Sequence, residues 1–259
     1  MKTRILSGII LLPFLTVIYF RGPLVWVAGF FIAIAGLHEF YRGFRKIDIH
    51  PSRLIGWISA AALYALVIFG EGLHVYLLWF FAVILLSLFY LFKIEERQLA
   101  DGMATVMGVF YVVFFSLHVV LIDRTGMGHM LWLVILTAFG TDIMAYFTGF
   151  FLGKHKLCPN ISPKKTVEGA IGGIVGSVIL CTLFGYLISE EPLIHFILIG
   201  LFGSMAAQAG DLTASIFKRK MGIKDYGNLI PGHGGILDRF DSVLFTAPFV
   251  YYYIMLVMF

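Results

Sequence analysis

The chain has 259 residues, of which 60% are hydrophobic, 16% aromatic and only 13% charged, and its mean hydropathy is +0.93. Ordinary soluble domains are roughly a quarter charged, so this composition excludes a soluble fold and indicates an integral membrane protein. The net charge of +4 does not point to nucleic acid, because the basic residues sit in short loops between apolar runs, where membrane orientation accounts for them.

A helix needs about 20 largely apolar residues to cross the hydrocarbon core, with roughly 17 to 25 tolerated. On that basis nine spans are predicted: Ile5 to Phe20, Pro23 to Phe40, Leu54 to Gly70, Leu73 to Phe92, Gly102 to Ile122, His129 to Leu152, Val167 to Ser189, Leu193 to Phe217 and Ser242 to Phe259. The fold class expected is therefore an all-α polytopic helical bundle. The segment Met1 to Phe20 has the charged start and apolar run of a signal peptide but no small-x-small cleavage site, and is read as an uncleaved first span. The chain divides loosely into N-terminal helices, 1–101, and a C-terminal catalytic region, 102–259, where the loops grow more polar.

Placing the N-terminus on one side leaves only Arg21 and Arg124, of 19 Lys and Arg residues, on the other. The positive-inside rule then puts the N-terminus and the polar loops in the cytoplasm and the C-terminus outside. Cys158 and Cys181 form no C-x-x-C or Cys/His cluster, which indicates neither a disulfide framework nor zinc.

Within the spans, Asp142 and Asp211 are out of place, since an aspartate at the helix centre costs about 2.5–3.5 kcal/mol on insertion scales. Ser204, Gln208, Asp211 and Ser215 follow at steps of four, three and four, forming one polar stripe on a helix face. Ser204 and Gln208 suit hydrogen bonding to a neighbouring helix, and Asp211 suits a cation or ligand. Asp142 is followed by Tyr146, Gly149 and Gly153 at helical spacing, compatible with either a site or a buried hydrogen bond. His118 and His195 read as packing residues with satisfied rings, and His38-Glu39, lacking H-E-x-x-H spacing, as interfacial.

The loop from Lys154 to Gly169, K-H-K-L-C-P-N-I-S-P-K-K-T-V-E-G, is basic. Ser162-Pro163 is predicted to begin a helix, with Ser as N-cap, so that free backbone N–H groups, Lys164 and Lys165 face an anion together; a positive-inside anchor with an ordinary cap is the alternative. Gly169, Gly172, Gly173 and Gly176 then give small-x-x-x-small faces suited to helix packing. Ser215 to Asp241, S-I-F-K-R-K-M-G-I-K-D-Y-G-N-L-I-P-G-H-G-G-I-L-D-R-F-D, is a denser polar cassette. Its lysines and arginines suit phosphates, its aspartates a hard cation, and its glycines close backbone approach. Walker, G-x-G-x-x-G and G-x-S-x-G motifs are absent.

This cassette resembles the signature of the phosphatidate cytidylyltransferases, or CDP-diacylglycerol synthases. Ser215, Lys218-Arg219, Lys224-Asp225, Gly227, Pro231, His233-Gly234-Gly235, Asp238-Arg239 and Asp241 carry the match, and S-P-K-K-T-V-E-G and Asp142 with Ala145 and Tyr146 look like two further family motifs. The resemblance is specific from about Asp142 to Asp241 and rests on hydropathy alone over the first hundred residues. It implies conversion of CTP and phosphatidic acid to CDP-diacylglycerol and pyrophosphate with Mg2+, in a homodimeric enzyme of the bilayer. Asp211, Asp238, Asp241, Lys218, Arg219, His233 and Arg239 are then the catalytic candidates. Ser162, Lys164, Lys165, Thr166, Lys224, Asp225, Gly234 and Gly235 would bind ligand, and Asp211, Asp238, Asp142 and Asp241 would hold Mg2+ and any second cation. An ion- or proton-coupled transporter is the alternative that nine spans with intramembrane Asp142 and Asp211 raise, but it would concentrate polarity near the midplane, whereas here polarity accumulates in two basic loops and no repeat is visible. A CDP-alcohol phosphotransferase would need a D-G-x-x-A-R segment that does not occur.

Overall fold

A computed structural model of the protein describes residues 15–70, 72–229 and 234–259. In chain order the helices are α1 (Pro23–Ile47), α2 (Arg53–Phe69), α3 (Leu73–Tyr90), α4 (Leu99–Arg124), α5 (Gly128–Leu152), α6 (Val167–Ile188), α7 (Leu193–Lys220) and α8 (Leu237–Met258). Seven of these, all but α2, are long and apolar enough to cross a membrane. With 17 residues, α2 is about 26 Å long at 1.5 Å per residue, slightly less than the ~30 Å hydrocarbon core. The predicted span Ile5 to Phe20 lies mostly outside the described residues, of which 15–20 are helical, so nine crossings are not established. Exposed Leu77, Leu78, Phe81 and Leu88 on α3 present the apolar surface that lipid covers.

Several helices run beyond the ends that hydropathy predicts. α7 continues past Phe217 to Lys220, and α8 begins at Leu237 instead of Ser242. Backbone hydrogen bonding does not stop where the side chains become polar, so these charged residues join the helix ends. Lys218 and Arg219 thus occupy the C-terminal turns of α7, and Asp238 and Asp241 the N-terminal turns of α8, each of the sign that the helix dipole favours.

The described chain forms two compact units, Met1–Leu121 with Lys220–Arg239 and Ile122–Arg219 with Phe240–Phe259. In the first, Arg21 and Gly22 take positive φ angles of 56° and 60°, and Pro23 at the first turn of α1 supplies a φ already suited to the helix. Ala33, Leu37, Phe40 and Tyr41 of α1 are fully buried. Tyr41 Oη donates to the Thr105 carbonyl at 2.7 Å, and the Ser52 amide, at the cap of α2, donates to Thr105 Oγ1 at 2.9 Å. Asp101 is buried at the start of α4, where its carboxylate accepts the amides of His50 at 2.6 Å and Gln98 at 3.0 Å.

In the second unit, α5 and α6 pack face to face through their small residues. A Cβ on Gly169 would lie 2.8 Å from the Ala145 carbonyl and 3.2 Å from Gly149 Cα, so only glycine permits this separation. The glycine run beginning at Gly169 therefore serves helix packing, as its spacing predicts. Cys158 and Cys181 are free thiols. His195 Nδ1 lies 3.1 Å from the Tyr253 hydroxyl, and His118 Nδ1 is 2.9 Å from the Phe114 carbonyl; both are packing histidines with a ring nitrogen engaged.

Candidate active site

The basic loop between α5 and α6 folds differently from its sequence expectation. Lys156–Cys158 (β1) and Ser162–Thr166 (β2) form an antiparallel hairpin whose register shifts between the pairs Lys156↔Thr166 and Cys158↔Ser162. Ser162-Pro163 is therefore strand and not a helix start. The irregular register accommodates Pro163, which has no N–H to give to a ladder. The helix begins four residues later, at Val167, with Thr166 as N-cap: its Oγ1 accepts the Gly169 amide at 3.1 Å. Glu168, in the first turn of α6, accepts the amide of Lys154 at 3.0 Å, and its Oε1 lies 2.6 Å from His155 Nδ1. This carboxylate ties the start of the loop to α6.

Beside the hairpin, a cavity of about 550 Å³ is lined by residues including Asp142, Tyr146, Lys164, Lys165, Gln208 and Asp211. Lys165 Nζ forms an ion pair with Asp211 Oδ2, both side chains being about a quarter exposed. Two motifs far apart in sequence, the S-P-K-K-T loop and the intramembrane stripe of α7, meet in this pair. Of that stripe, Gln208 Nε2 donates to the Ala170 carbonyl of α6 at 3.2 Å, the neighbouring-helix bond expected of it. Ser204 Oγ instead donates at 2.8 Å to Leu201 of its own helix, and Ser215 is buried.

Asp241 is only 7% exposed. Its carboxylate interacts electrostatically with Asp211, Lys218 and Asp142, and its Oδ1 accepts the Ser242 amide at 2.8 Å. α7 and α8 come close at this level, for a Cβ on Gly210 would stand 2.7 Å from the Asp241 carbonyl. Three aspartates from α5, α7 and α8 are thereby brought together with lysines from β2 and α7. Arg219 Nε donates to the Ile161 carbonyl at 3.2 Å, linking the end of α7 to the hairpin.

The remaining signature residues belong to the other unit. Asp238 Oδ2 accepts two backbone amides, from Tyr226 at 2.8 Å and Gly235 at 2.9 Å, and so closes the segment onto the start of α8. Gly235 is buried, Gly234 has φ 84° and Lys224 and Asp225 are exposed. His233 lies outside the described residues. Glu39, near the end of α1, is only 6% exposed, and its two carboxylate oxygens accept the amides of Ile236 at 3.1 Å and Leu237 at 2.9 Å.

The chain matches the cytidylyltransferase family over residues 2–257. It is 35% identical to the phosphatidate cytidylyltransferase of Bacillus subtilis strain 168, the alignment covering 97% of each chain. The proteins of the same name from Staphylococcus haemolyticus, at 34%, and Staphylococcus aureus strain COL, at 33%, align over 96% of both chains. The chain belongs to the cytidylyltransferase family. A transporter, the alternative raised by Asp142 and Asp211, finds no support among these relatives.

For a cytidylyltransferase the arrangement supplies the expected chemistry of cationic loops beside grouped carboxylates. Whether it fits a divalent metal can be judged from the donors. Among the described residues no group of three or more His, Cys, Asp or Glu side chains is placed to hold an ion by itself. Mg2+ commonly uses one or two carboxylates and completes its shell with water and substrate phosphates. Asp211 and Asp241 fit that pattern, since both are hard oxygen donors and Asp241 is a buried acid beside other acids, where a cation relieves repulsion.

Three features of this family member escape its sequence. The N-cap at Thr166 is signalled only by Thr followed by an acid two residues on, which competes with the stronger Ser-Pro signal at 162–163. The brace formed by Asp238 joins its carboxylate to the Tyr226 amide twelve positions earlier. Glu39 binds backbone nearly two hundred positions away, and no local pattern announces either contact.

Proposed function

We propose that the protein is a Mg2+-dependent CTP:phosphatidate cytidylyltransferase, forming CDP-diacylglycerol and pyrophosphate at the cytoplasmic face of the membrane. The observation that carries the proposal is the Lys165–Asp211 ion pair within the 550 Å³ cavity, which joins the phosphate-binding candidates to the carboxylates. The names of the relatives support the choice of substrates. The distribution of basic residues supports a cytoplasmic site with the N-terminus inside and the C-terminus outside, in the inner membrane of a bacterium. The family resemblance supports a homodimer.

An oxygen of the phosphatidate phosphomonoester attacks the α-phosphorus of CTP, forming the new P–O bond as the bond to the β-phosphate oxygen breaks and pyrophosphate leaves. A phosphomonoester has a second pKa of about 6, so the nucleophile is largely ionised at neutral pH and needs no strong general base. The chain's task is to position two anions and neutralise charge as it moves onto pyrophosphate. Lys164, Lys165 and Lys218 are assigned to phosphate oxygens, Arg219 to anchoring the hairpin beside them, and Lys224 and Arg239 to phosphate on the resemblance alone. Asp211 and Asp241, with Asp142 in support, would hold Mg2+. The metal, when bound, supplies charge neutralisation and orientation of the triphosphate. Asp238 was expected as a ligand, and its bonds to two amides give it a backbone-holding role besides.

Purified protein incubated with labelled CTP, phosphatidic acid and Mg2+ is expected to yield lipid-linked CMP and pyrophosphate. Omitting phosphatidic acid, or chelating the metal, should abolish both. Folded protein that makes neither product across a broad range of Mg2+ and detergent would overturn the assignment.

A further inference from the structure

We propose that Glu39 and Arg42 of α1 are positioning residues that hold the backbone at Tyr226 and at residues 235–238 as the reaction requires. The proposal deepens the activity put forward above and rests on it. Glu39 and Arg42 stand three residues apart on α1, so they project from neighbouring points of one helix face.

Both oxygens of Glu39 are used: Oε1 accepts from the Ile236 amide and Oε2 from the Leu237 amide. These N–H groups open α8, where the first turn of a helix has no intrahelical acceptors. Glu39 therefore caps α8 from another helix, with a charge of the sign that a helix N-terminus favours. Arg42 Nη2 donates to the Tyr226 carbonyl at 2.7 Å, while the amide of the same residue donates to Asp238. Tyr226 is thus held on both sides of its backbone, and its buried ring lies 6.1 Å from that of Phe40, next to Glu39.

The fit around the carboxylate is close. A Cβ on either Gly227 or Gly235 would collide with Glu39 oxygens, so these two glycines of the signature leave the space that the carboxylate fills. An apolar side chain would meet a packing requirement without the desolvation that a buried carboxylate costs. What the carboxylate adds is directional: charge-assisted hydrogen bonds fix where two amides point. Lys224 and Asp225 directly precede Tyr226, and Arg239 directly follows Asp238, so the held positions adjoin these charged residues of the signature.

The test compares full-length protein with Glu39→Gln and Glu39→Asp by hydrogen exchange and by kinetics in one detergent. Gln keeps a single carbonyl acceptor, and Asp keeps the charge but is shorter by one methylene. Both variants should speed exchange of the Ile236 and Leu237 amides by about 10- to 100-fold, the loss expected for one hydrogen bond to a charged group, with protection in α5 and α6 unchanged. Both should lower kcat by about the same factor, and neither should alter the shape of the pH profile, because Glu39 transfers no proton. Arg42→Lys, which keeps charge but loses the planar fork, should loosen the same segment. Unchanged exchange at residues 236 and 237, or kcat within twofold of the parent in both Glu39 variants, would overturn the proposal. Full activity in Glu39→Asp would show that only the charge matters, and would overturn it too. If the parent protein itself makes no CDP-diacylglycerol, the assigned activity fails, and the exchange measurement alone decides whether Glu39 holds the segment.

Discussion

Three aspartates are alike in the sequence and differ once their partners are known. Asp211 is paired with Lys165, Asp241 is buried among acids and Lys218, and Asp238 holds two backbone amides. Asn at position 211 removes the charge that a metal needs while keeping size, so Asp211→Asn should reduce kcat by on the order of 10²–10³, the scale seen when one charge-stabilising group is lost. It should also raise the Mg2+ concentration needed for half-maximal rate. Asp238→Asn retains one carbonyl acceptor and should lower kcat with the Mg2+ requirement unchanged. A Mg2+ titration of both variants checks this pair of expectations; a shifted requirement in Asp238→Asn would instead make that residue a metal ligand, as its place in the signature suggests.

For single elements, the hairpin and the start of α6 decide how the basic loop meets the cavity. Thr166 caps α6 through the Gly169 amide, so Thr166→Ala should cost about 1 kcal/mol, within the usual 0.5–2 for a lost N-cap, measured by denaturant unfolding in detergent. Lys164 and Lys165 lie on β2 beside the cavity, and their joint replacement by Ala should lower kcat/KM for CTP more than it lowers membrane insertion. A contact made equally in ground and transition states would raise KM alone, while one strengthened as charge moves to pyrophosphate lowers kcat as well. The second outcome is expected for Lys165, whose partner is a carboxylate assigned to the metal. Unchanged constants for CTP in the double variant would reduce the hairpin to a positive-inside anchor and leave phosphate binding to residues 218–239.

Across the whole molecule, the proposed orientation rests on the distribution of basic residues. In a background without Cys158 and Cys181, single cysteines near Lys46 and Lys220 should react only with reagent admitted to the cytoplasm, and one near Arg124 only from outside. The helices place these positions at ends, since α1 reaches Ile47, α4 stops at Arg124 and α7 stops at Lys220. Reaction of all three from one side would invalidate the assigned orientation.

Apolar run length alone located eight of the helices, because in a bilayer hydrophobicity and backbone satisfaction are imposed on every spanning segment. It misplaced their polar ends, as at Leu237 and Lys220, because helical hydrogen bonding continues into water. The signature cassette, Asp211 and the basic loop were also legible, since polar residues in such a chain stand out against a costly background. Which of them meet was not legible. The Lys165–Asp211 pair, the grouping of Asp241 with Asp142 and Asp211, and the capture of residues 236 and 237 by Glu39 each join segments distant in sequence. Hydropathy specifies where a helix lies, but only the packing of side chains against other helices fixes which face each one turns to its neighbours. That choice of faces made Glu39 a buried brace for the start of α8 and brought Asp142 and Asp211 near Asp241.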